Sequence, residues 1–145
     1  MYKLILFFHL IYNNYTCKPN NVNMKDTQKI HCQIDFQDFF TKDFVELNLN
    51  GCSIFSDTLT SDKSDGLTNT RLNVYKRGKI GYLVKFNGKT IECDAENQEL
   101  NLIIILNGHQ NKFMVHLTKG KYLGISKKNI SEVYIHQSKA PFVYD

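Results

Sequence analysis

The chain of 145 residues contains no tryptophan and only two alanines, two prolines and two arginines. The scarcity of alanine, the strongest helix former, argues against a helical bundle. No apolar run reaches the roughly 18 residues that a membrane-spanning helix needs. Because 42% of the residues are hydrophobic and 22% are charged, the composition is that of a globular domain and excludes wholesale disorder. The net charge is only +4. Lysine and asparagine are abundant, and because both have AT-rich codons, a bias in the genome explains their abundance better than a nucleic-acid partner does.

The start of the chain has the layout of a secretory signal peptide. Lys3 precedes an apolar stretch that is interrupted only by His9, and a polar segment follows. A buried first strand is the alternative interpretation of the apolar stretch. We therefore predict a signal peptide over residues 1–16, a flexible lead-in over residues 17–28 and one domain of an exported protein over residues 29–145.

Four cysteines follow the predicted signal peptide, at Cys17, Cys32, Cys52 and Cys93. An even number in an exported chain permits two disulfides, and the sequence does not distinguish the three possible connectivities. Free, buried thiols are an equally good interpretation. No C-x-x-C spacing occurs, so neither a zinc ribbon nor a thioredoxin-type redox site is indicated.

One glycosylation sequon lies well away from the predicted cleavage region. It is Asn129-Ile130-Ser131, and it is usable only in a chain that is exported. We therefore predict that Asn129 carries a glycan.

Apolar and polar residues alternate along most of the remaining chain. A period of two is the signature of a half-buried β-strand. Three Asn-Gly pairs, which start at Asn50, Asn87 and Asn107, supply residues that tolerate the positive φ of tight hairpin turns. The sequence therefore predicts an all-β fold, built as an antiparallel sandwich or barrel. The predicted strands are residues 30–36, 45–49, 80–86, 100–106, 113–117, 121–126 and 132–136, of which 100–106 is apolar enough to be covered on both faces.

An internal sequence repeat makes a β-trefoil an alternative fold. The pattern N-G-x-x-I-x-x-D occurs at residues 50–57 and again at 87–94. A repeat of about forty residues suits a trefoil, but no third copy follows at the required distance. Chance similarity between two hairpins is the better explanation.

Motifs of the common enzyme classes are absent. There is no H-E-x-x-H, no G-x-S-x-G and no phosphate-binding G-x-x-x-x-G-K, and the five histidines lack metal-ligand spacing. A calcium loop fails because Ser61 would occupy its first position and Leu72 its twelfth. We therefore predict a protein that is not an enzyme and needs neither a cofactor nor a metal.

The order of the predicted strands resembles that of the galectins. Residues 29–34 and 43–49 resemble the opening strands of that family. The resemblance covers about residues 29–143, and it implies an antiparallel jelly-roll β-sandwich with a carbohydrate-binding function. The four closing strands of the family are matched by residues 100–106, 111–117, 121–125 and 130–136.

The galectin sugar site consists of H-x-N-x-R, an asparagine on the next strand, and W-x-x-E-x-R. By spacing, Phe55, Asp57 and Leu59 occupy the first motif, and Val74 occupies the asparagine position unless a slip of one residue brings in Asn73. Most of the hydrogen-bonding groups and the stacking tryptophan are therefore missing. The resemblance implies altered or lost β-galactoside binding, with candidate ligand-binding residues Phe55, Asp57, Leu59, Asn73, Ile80, Leu83 and Lys85.

The alternating spacing of Phe55, Asp57 and Leu59 places the three on one face of their strand. Together with Ile80 and Leu83 they would form an exposed apolar patch with a charged rim, which usually marks an interface. The alternative is that the loop over residues 60–68 folds over this patch and hides it.

We expect a secreted binding module, first of all a galectin-like lectin with an altered sugar preference. The alternatives are a protein-binding or immune-modulating domain and a β-trefoil cytokine-like ligand or inhibitor. The expected partner is a glycan or glycoprotein, or else a protein receptor, rather than nucleic acid or a membrane.

Overall fold

The computed structural model describes residues 29–79, 81–94 and 99–144. Within these ranges it contains ten β-strands and one short 3₁₀-helix, so the predicted all-β fold is confirmed. The predicted signal peptide and lead-in lie outside the described residues. The strands are β1 Ile30–Phe36, β2 Asp43–Leu49, β3 Cys52–Leu59, β4 Thr70–Arg77, β5 Gly81–Phe86, β6 Lys89–Asp94, β7 Leu100–Leu106, β8 His109–Val115, β9 Tyr122–Lys127 and β10 Val133–Ser138, and the helix is Leu117–Lys119.

The strands form two sheets that pack face to face. The six-stranded sheet has the order β10-β9-β1-β4-β5-β6, and the four-stranded sheet has the order β3-β2-β7-β8. This arrangement confirms the predicted sandwich and differs from a β-trefoil. One pair, β1 with β9, is parallel, whereas the sequence predicted antiparallel strands throughout. Parallel pairing is possible there because the two strands are far apart in the chain, so no tight turn has to join them.

The core lies between the sheets and is built by the predicted alternation. On β1, Cys32, Ile34 and Phe36 are buried in the hydrophobic core, while the residues between them face outward. On β7, alternate residues are completely buried and those between them, such as Ile103, are only partly buried. The prediction that residues 100–106 are covered on both faces is therefore wrong, because nothing fully covers the outer face of the four-stranded sheet there.

The three Asn-Gly pairs form the turns of hairpins β2–β3, β5–β6 and β7–β8. Asn50, Asn87 and Asn107 have φ between 46° and 50°, and a glycine with positive φ follows each of them. Two consecutive residues with positive φ produce the twist that a two-residue hairpin needs.

A disulfide between Cys52 and Cys93 joins β3 to β6, with 5.8 Å between the two Cα atoms. Because β3 and β6 are edge strands of different sheets, the bond closes one side of the sandwich. Cys32 is a buried free thiol, and burial raises its pKa to about 12. The disulfide interpretation is thus correct for Cys52 and Cys93, and the free-thiol interpretation is correct for Cys32. Cys17 lies outside the described residues.

One ion pair joins the sheets at the start of β2. Nζ of Lys127 on β9 lies 2.7 Å from Oδ2 of Asp43, and both side chains are largely buried. Nδ2 of Asn107 donates a further hydrogen bond to Oδ1 of Asp43. Burial alone would raise the pKa of Asp43, but these hydrogen bonds and one from a backbone N–H lower it below its ordinary value.

The only helical element within residues 29–79, 81–94 and 99–144 is three residues long. None of the helical structure described there could therefore cross a bilayer.

Candidate functional site

Two of the three predicted site residues of β3, Phe55 and Leu59, lie in the interior of the sandwich. Phe55, Asp57 and Leu59 pair with buried residues of β2 and share the inner face of the four-stranded sheet, as their spacing predicted. The ring of Phe55 packs against Phe36 and Phe86, each with 5.2 Å between ring centroids. Phe55 is 8% exposed and Leu59 is 4% exposed, whereas Asp57 is exposed.

The predicted exposed apolar patch is therefore wrong for Phe55, Leu59 and Leu83, all of which are buried. The reason for the first two is topological, because the Asn50-Gly51 turn pairs β3 with β2 while β4 and β5 belong to the other sheet. Phe36 and Phe86 of the opposite sheet pack against Phe55. Ile80 lies outside the described residues.

Two of the predicted residues do come together, on the outer face of the six-stranded sheet. Asn73 on β4 lies directly opposite Lys85 on β5, and Lys85 lies opposite Thr90 on β6. The three side chains form a polar row across three neighbouring strands. Burial of Tyr82 and Val84 in the core confirms that Lys85, in the alternate position, points away from it.

This row forms part of a pocket of about 450 Å³, which we call the basic pocket. Three of its residues carry positive charge, namely Arg71, Lys85 and Lys89, and none of the residues that line it is acidic. Nζ of Lys85 lies 5.3 Å from the ring centroid of Tyr75, a cation–π contact that restrains the lysine. The basic pocket is lined by Arg71, Asn73, Lys85, Phe86, Asn87, Gly88, Lys89 and Thr90.

A second pocket, of about 290 Å³, adjoins the first at Arg71, and we call it the loop pocket. Hydrogen-bonding groups come from Asn69 and Thr70, and apolar surface comes from Leu67 and part of Phe36. Since Arg71 lines both pockets, the two together form one extended site. The loop pocket is lined by Asp35, Phe36, Leu67, Asn69, Thr70 and Arg71.

The position of Arg71 is fixed by Asp35, which lies on the neighbouring strand. Nε of Arg71 donates a hydrogen bond to Oδ1 of Asp35, and Nε2 of Gln33 donates another to Oδ2 at 2.8 Å. The hydrogen bond from Arg71 to Asp35 is the main reason that the pKa of Arg71 is raised. The Asp35 side chain is 5% exposed and the Arg71 side chain 51% exposed. The carboxylate thus holds a guanidinium that still faces solvent.

Asn73 carries an unsatisfied polar atom. Its Oδ1 is shielded from solvent and has no hydrogen-bond partner among the described residues. A buried acceptor without a donor costs about 1–3 kcal/mol. Asn73 also lines the basic pocket.

The pattern of the sequence could have indicated more of this site than we predicted from it. Residues 70–75 alternate in the same way as the other strands, with Leu72 and Val74 inward and Arg71 and Asn73 outward. That period of two was the available signal for Arg71, which the resemblance did not include. Lys89 and Thr90 gave no such signal, because only strand pairing places them beside Lys85.

The sequon at Asn129 lies in the turn between β9 and β10. Asn129 is exposed, and its Oδ1 accepts hydrogen bonds from the backbone N–H groups of Ser131 and Glu132. Nδ2 of Asn129, the atom that would carry a glycan, donates a hydrogen bond to Oε2 of Glu132 at 2.8 Å. The glycan stays a prediction.

Histidine, cysteine and acidic side chains do not form a metal site in the part of the chain that the structure describes. No three of them are grouped closely enough to hold an ion. His31 stacks on Tyr82 at 5.5 Å, and burial together with the charge of Lys76 lowers its pKa.

Comparison with known proteins gives no match to this chain, whether among protein-family models, curated proteins or solved structures.

Proposed function

We propose that this protein is an exported, non-enzymatic binding module that binds a glycan on the outer face of its six-stranded sheet. The observation that carries the proposal is the polar row of Asn73, Lys85 and Thr90, which lies beside Arg71 along two adjoining pockets. Amide, hydroxyl, ammonium and guanidinium groups are the donors and acceptors that select sugar hydroxyls. The lectin function implied by the resemblance to galectins is retained in this proposal, with Asn73 and Lys85 from the predicted set and with Arg71 and Thr90 added to them.

One aromatic residue borders the basic pocket although the chain lacks tryptophan. Phe86 lines the basic pocket and is only partly buried. Its inner side packs against Phe55, with 5.2 Å between ring centroids. Since Phe86 alternates with the outward Lys85 and packs against the core, the proposal rests on the polar row and not on stacking against this ring.

Export is supported by the disulfide between Cys52 and Cys93. Disulfides persist in oxidising compartments and are rare in the cytosol. N-terminal sequencing of the protein recovered from the medium of expressing cells tests this part of the proposal. A chain that begins near Cys17 supports the signal peptide, and a chain that still begins at Met1 contradicts it.

The test of glycan binding is a glycan array probed with the exported protein and with matched variants. Asn73→Ala removes a group of the basic pocket, and Asn101→Ala removes an asparagine from the outer face of the other sheet. We expect glycan binding that is weakened about tenfold by Asn73→Ala and is unchanged by Asn101→Ala. Equal loss in both variants, or no binding at all, contradicts the proposal.

Protein binding is the second candidate function, and one exposed aromatic residue favours it. Phe39 is 66% exposed and has a φ of 72°, which is unusual for a phenylalanine. It lines a pocket of about 490 Å³ together with Phe40, and charged residues also line that pocket, namely Asp38, Asp62, Lys63 and Asp65. Large aromatic side chains dominate many protein interfaces.

A cell-binding assay separates the two functions, because their residues lie in different pockets. If Phe39→Ala abolishes binding while Asn73→Ala leaves it intact, the partner is a protein that docks at the pocket lined by Phe39. The reverse result supports the glycan.

A further inference from the structure

We infer that the ligand is an acidic oligosaccharide, whose carboxylate or sulfate group is held between Arg71, Lys85 and Lys89. This inference rests on the proposed function, because it names the kind of glycan that the same two pockets would take. The observations are the charge of the basic pocket, the positioning of its cations and the shape of the extended site.

The basic pocket carries three positive charges, and two of them have no acidic side chain paired with them. Within the described residues, neither Lys85 nor Lys89 takes part in an ion pair. The carboxylate of Glu92, two residues beyond Thr90 on β6, is paired with Arg77 instead. Three positive charges gathered around one pocket repel each other, and a bound anion relieves that repulsion.

Two of these cations are already held in place before a ligand arrives. Asp35 binds the Nε of Arg71, and the ring of Tyr75 lies under the ammonium of Lys85. Positioned donors lose less conformational freedom on binding than mobile surface lysines do. Charge-assisted hydrogen bonds to an anionic oxygen are also about twice as strong as neutral ones.

The shape of the site indicates more than one sugar residue. The two pockets, of about 290 Å³ and about 450 Å³, meet at Arg71. The loop pocket offers the neutral groups of Asn69 and Thr70, so a neutral ring fits there while the acidic group lies in the basic pocket. Together the pockets reach the size of common small-ligand sites.

The experiment is calorimetric titration of the exported protein with paired oligosaccharides. A sulfated tetrasaccharide is compared with its desulfated form, and a sialylated trisaccharide with its neutral form, so that the sulfate and carboxylate sources are separated. Lys85→Gln/Lys89→Gln removes two charges from the basic pocket. Lys112→Gln/Lys119→Gln removes the same charge from β8 and the 3₁₀-helix, where both lysines are exposed.

We expect at least one acidic member to bind at least about tenfold more tightly than its neutral form. Lys85→Gln/Lys89→Gln should remove that preference, the control variant should keep it, and added salt should weaken it. If acidic and neutral forms bind equally and the basic-pocket variant changes nothing, the inference is wrong while the proposed function stands. If no glycan binds, both are wrong.

A further arm uses inorganic polyphosphate, a polyanion that has no sugar rings. The inference is overturned if polyphosphate binds as tightly as the acidic glycan and both double variants weaken its binding equally. Binding would then reflect general attraction of a polyanion to a basic surface. Circular dichroism of each variant confirms that it is folded.

Discussion

The outer faces of the two sheets differ in how far their side chains are buried. On the six-stranded sheet, Gln33 and Asp35 are less than a tenth exposed, and so is Gln37 just beyond β1. On the four-stranded sheet, outward residues such as Lys112 and Met114 are exposed. Burying a polar group is costly unless it is hydrogen-bonded. Gln33, Asp35 and Gln37 accordingly bond to other side chains, while the exposed groups of the second face are open to solvent.

The buried polar layer of the six-stranded sheet is tightly packed as well as hydrogen-bonded. Nε2 of Gln37 donates to the hydroxyl of Tyr144 at 2.6 Å, which brings the C-terminal segment onto this face. Gly124 on β9 lies beneath Gln37, and a Cβ placed there would come 2.3 Å from Oε1 of the glutamine. The comparison therefore indicates a closely packed, hydrogen-bonded surface beside the candidate site and a solvent-exposed surface on the other sheet.

The largest expected effect lies where the two sheets meet, at Asp43. Asp43→Asn should lower the free energy of unfolding by about 3 kcal/mol at neutral pH, because it leaves the ammonium of Lys127 largely buried without its counter-charge. Urea denaturation followed by circular dichroism measures this loss. A loss no larger than that of a surface substitution would mean that the pair contributes little.

The same substitution should change the response to acid. Because the pKa of Asp43 is lower in the folded state than its ordinary value of 3.8, its stabilising contribution is present above that value and is lost as pH falls through the folded pKa. Asp43→Asn should therefore flatten the decrease in stability in this acidic range. Denaturation curves collected from neutral pH down to this range test the sign, and a steeper decrease in the variant would contradict it.

The second prediction compares the two outer faces directly. Asp35→Asn should cost about 2 kcal/mol, because it weakens the hydrogen bonds to Arg71 and Gln33 while Arg71 can still turn to water. Glu46→Gln, on the outer face of the four-stranded sheet, should stay within about 0.5 kcal/mol of wild type. Equal losses in chemical denaturation would remove the distinction between the faces.

The third prediction concerns the C-terminal segment over the six-stranded sheet. Tyr144→Phe removes the acceptor of Gln37 and should cost about 1 kcal/mol. Tyr134→Phe is the matched control, because Tyr134 is exposed on β10 and should tolerate the loss of its hydroxyl. Thermal and urea denaturation of both variants would sharpen the comparison, and identical stabilities would show that the segment adds nothing to this face.

Local patterns in the sequence predicted the sandwich because strands and turns depend on neighbouring residues. The alternation in β1 and the Asn50-Gly51 turn specify which face is inward and where the chain reverses. Which sheet a strand joins depends on distant pairing, and spacing along the chain does not reveal it. That is why Asn73 and Lys85, on adjacent strands, were found together while Phe55 and Leu59 were wrongly expected at the surface.

The smallest expected effect is the heat of lactose binding. The galectin positions for His, Arg, Trp and Glu would be Phe55, Leu59, Ile80 and Leu83, whose side chains offer no hydrogen bonds to a sugar. Phe55 and Leu59 are moreover buried between the sheets. Each missing charge-assisted hydrogen bond forfeits roughly 1.5–3 kcal/mol, and the missing indole about 1 kcal/mol more.

The polar row of Asn73, Lys85 and Thr90 does not restore these contacts, because it lies on the opposite side of the six-stranded sheet from the core that holds Phe55. Lactose also lacks the acidic group that we expect the basic pocket to select. We therefore predict no measurable heat of lactose binding at millimolar sugar in isothermal titration calorimetry. If lactose does bind and Asn73→Ala abolishes the heat, the basic pocket recognises neutral galactosides. Binding that Asn73→Ala leaves unchanged would place a sugar site elsewhere on the sandwich.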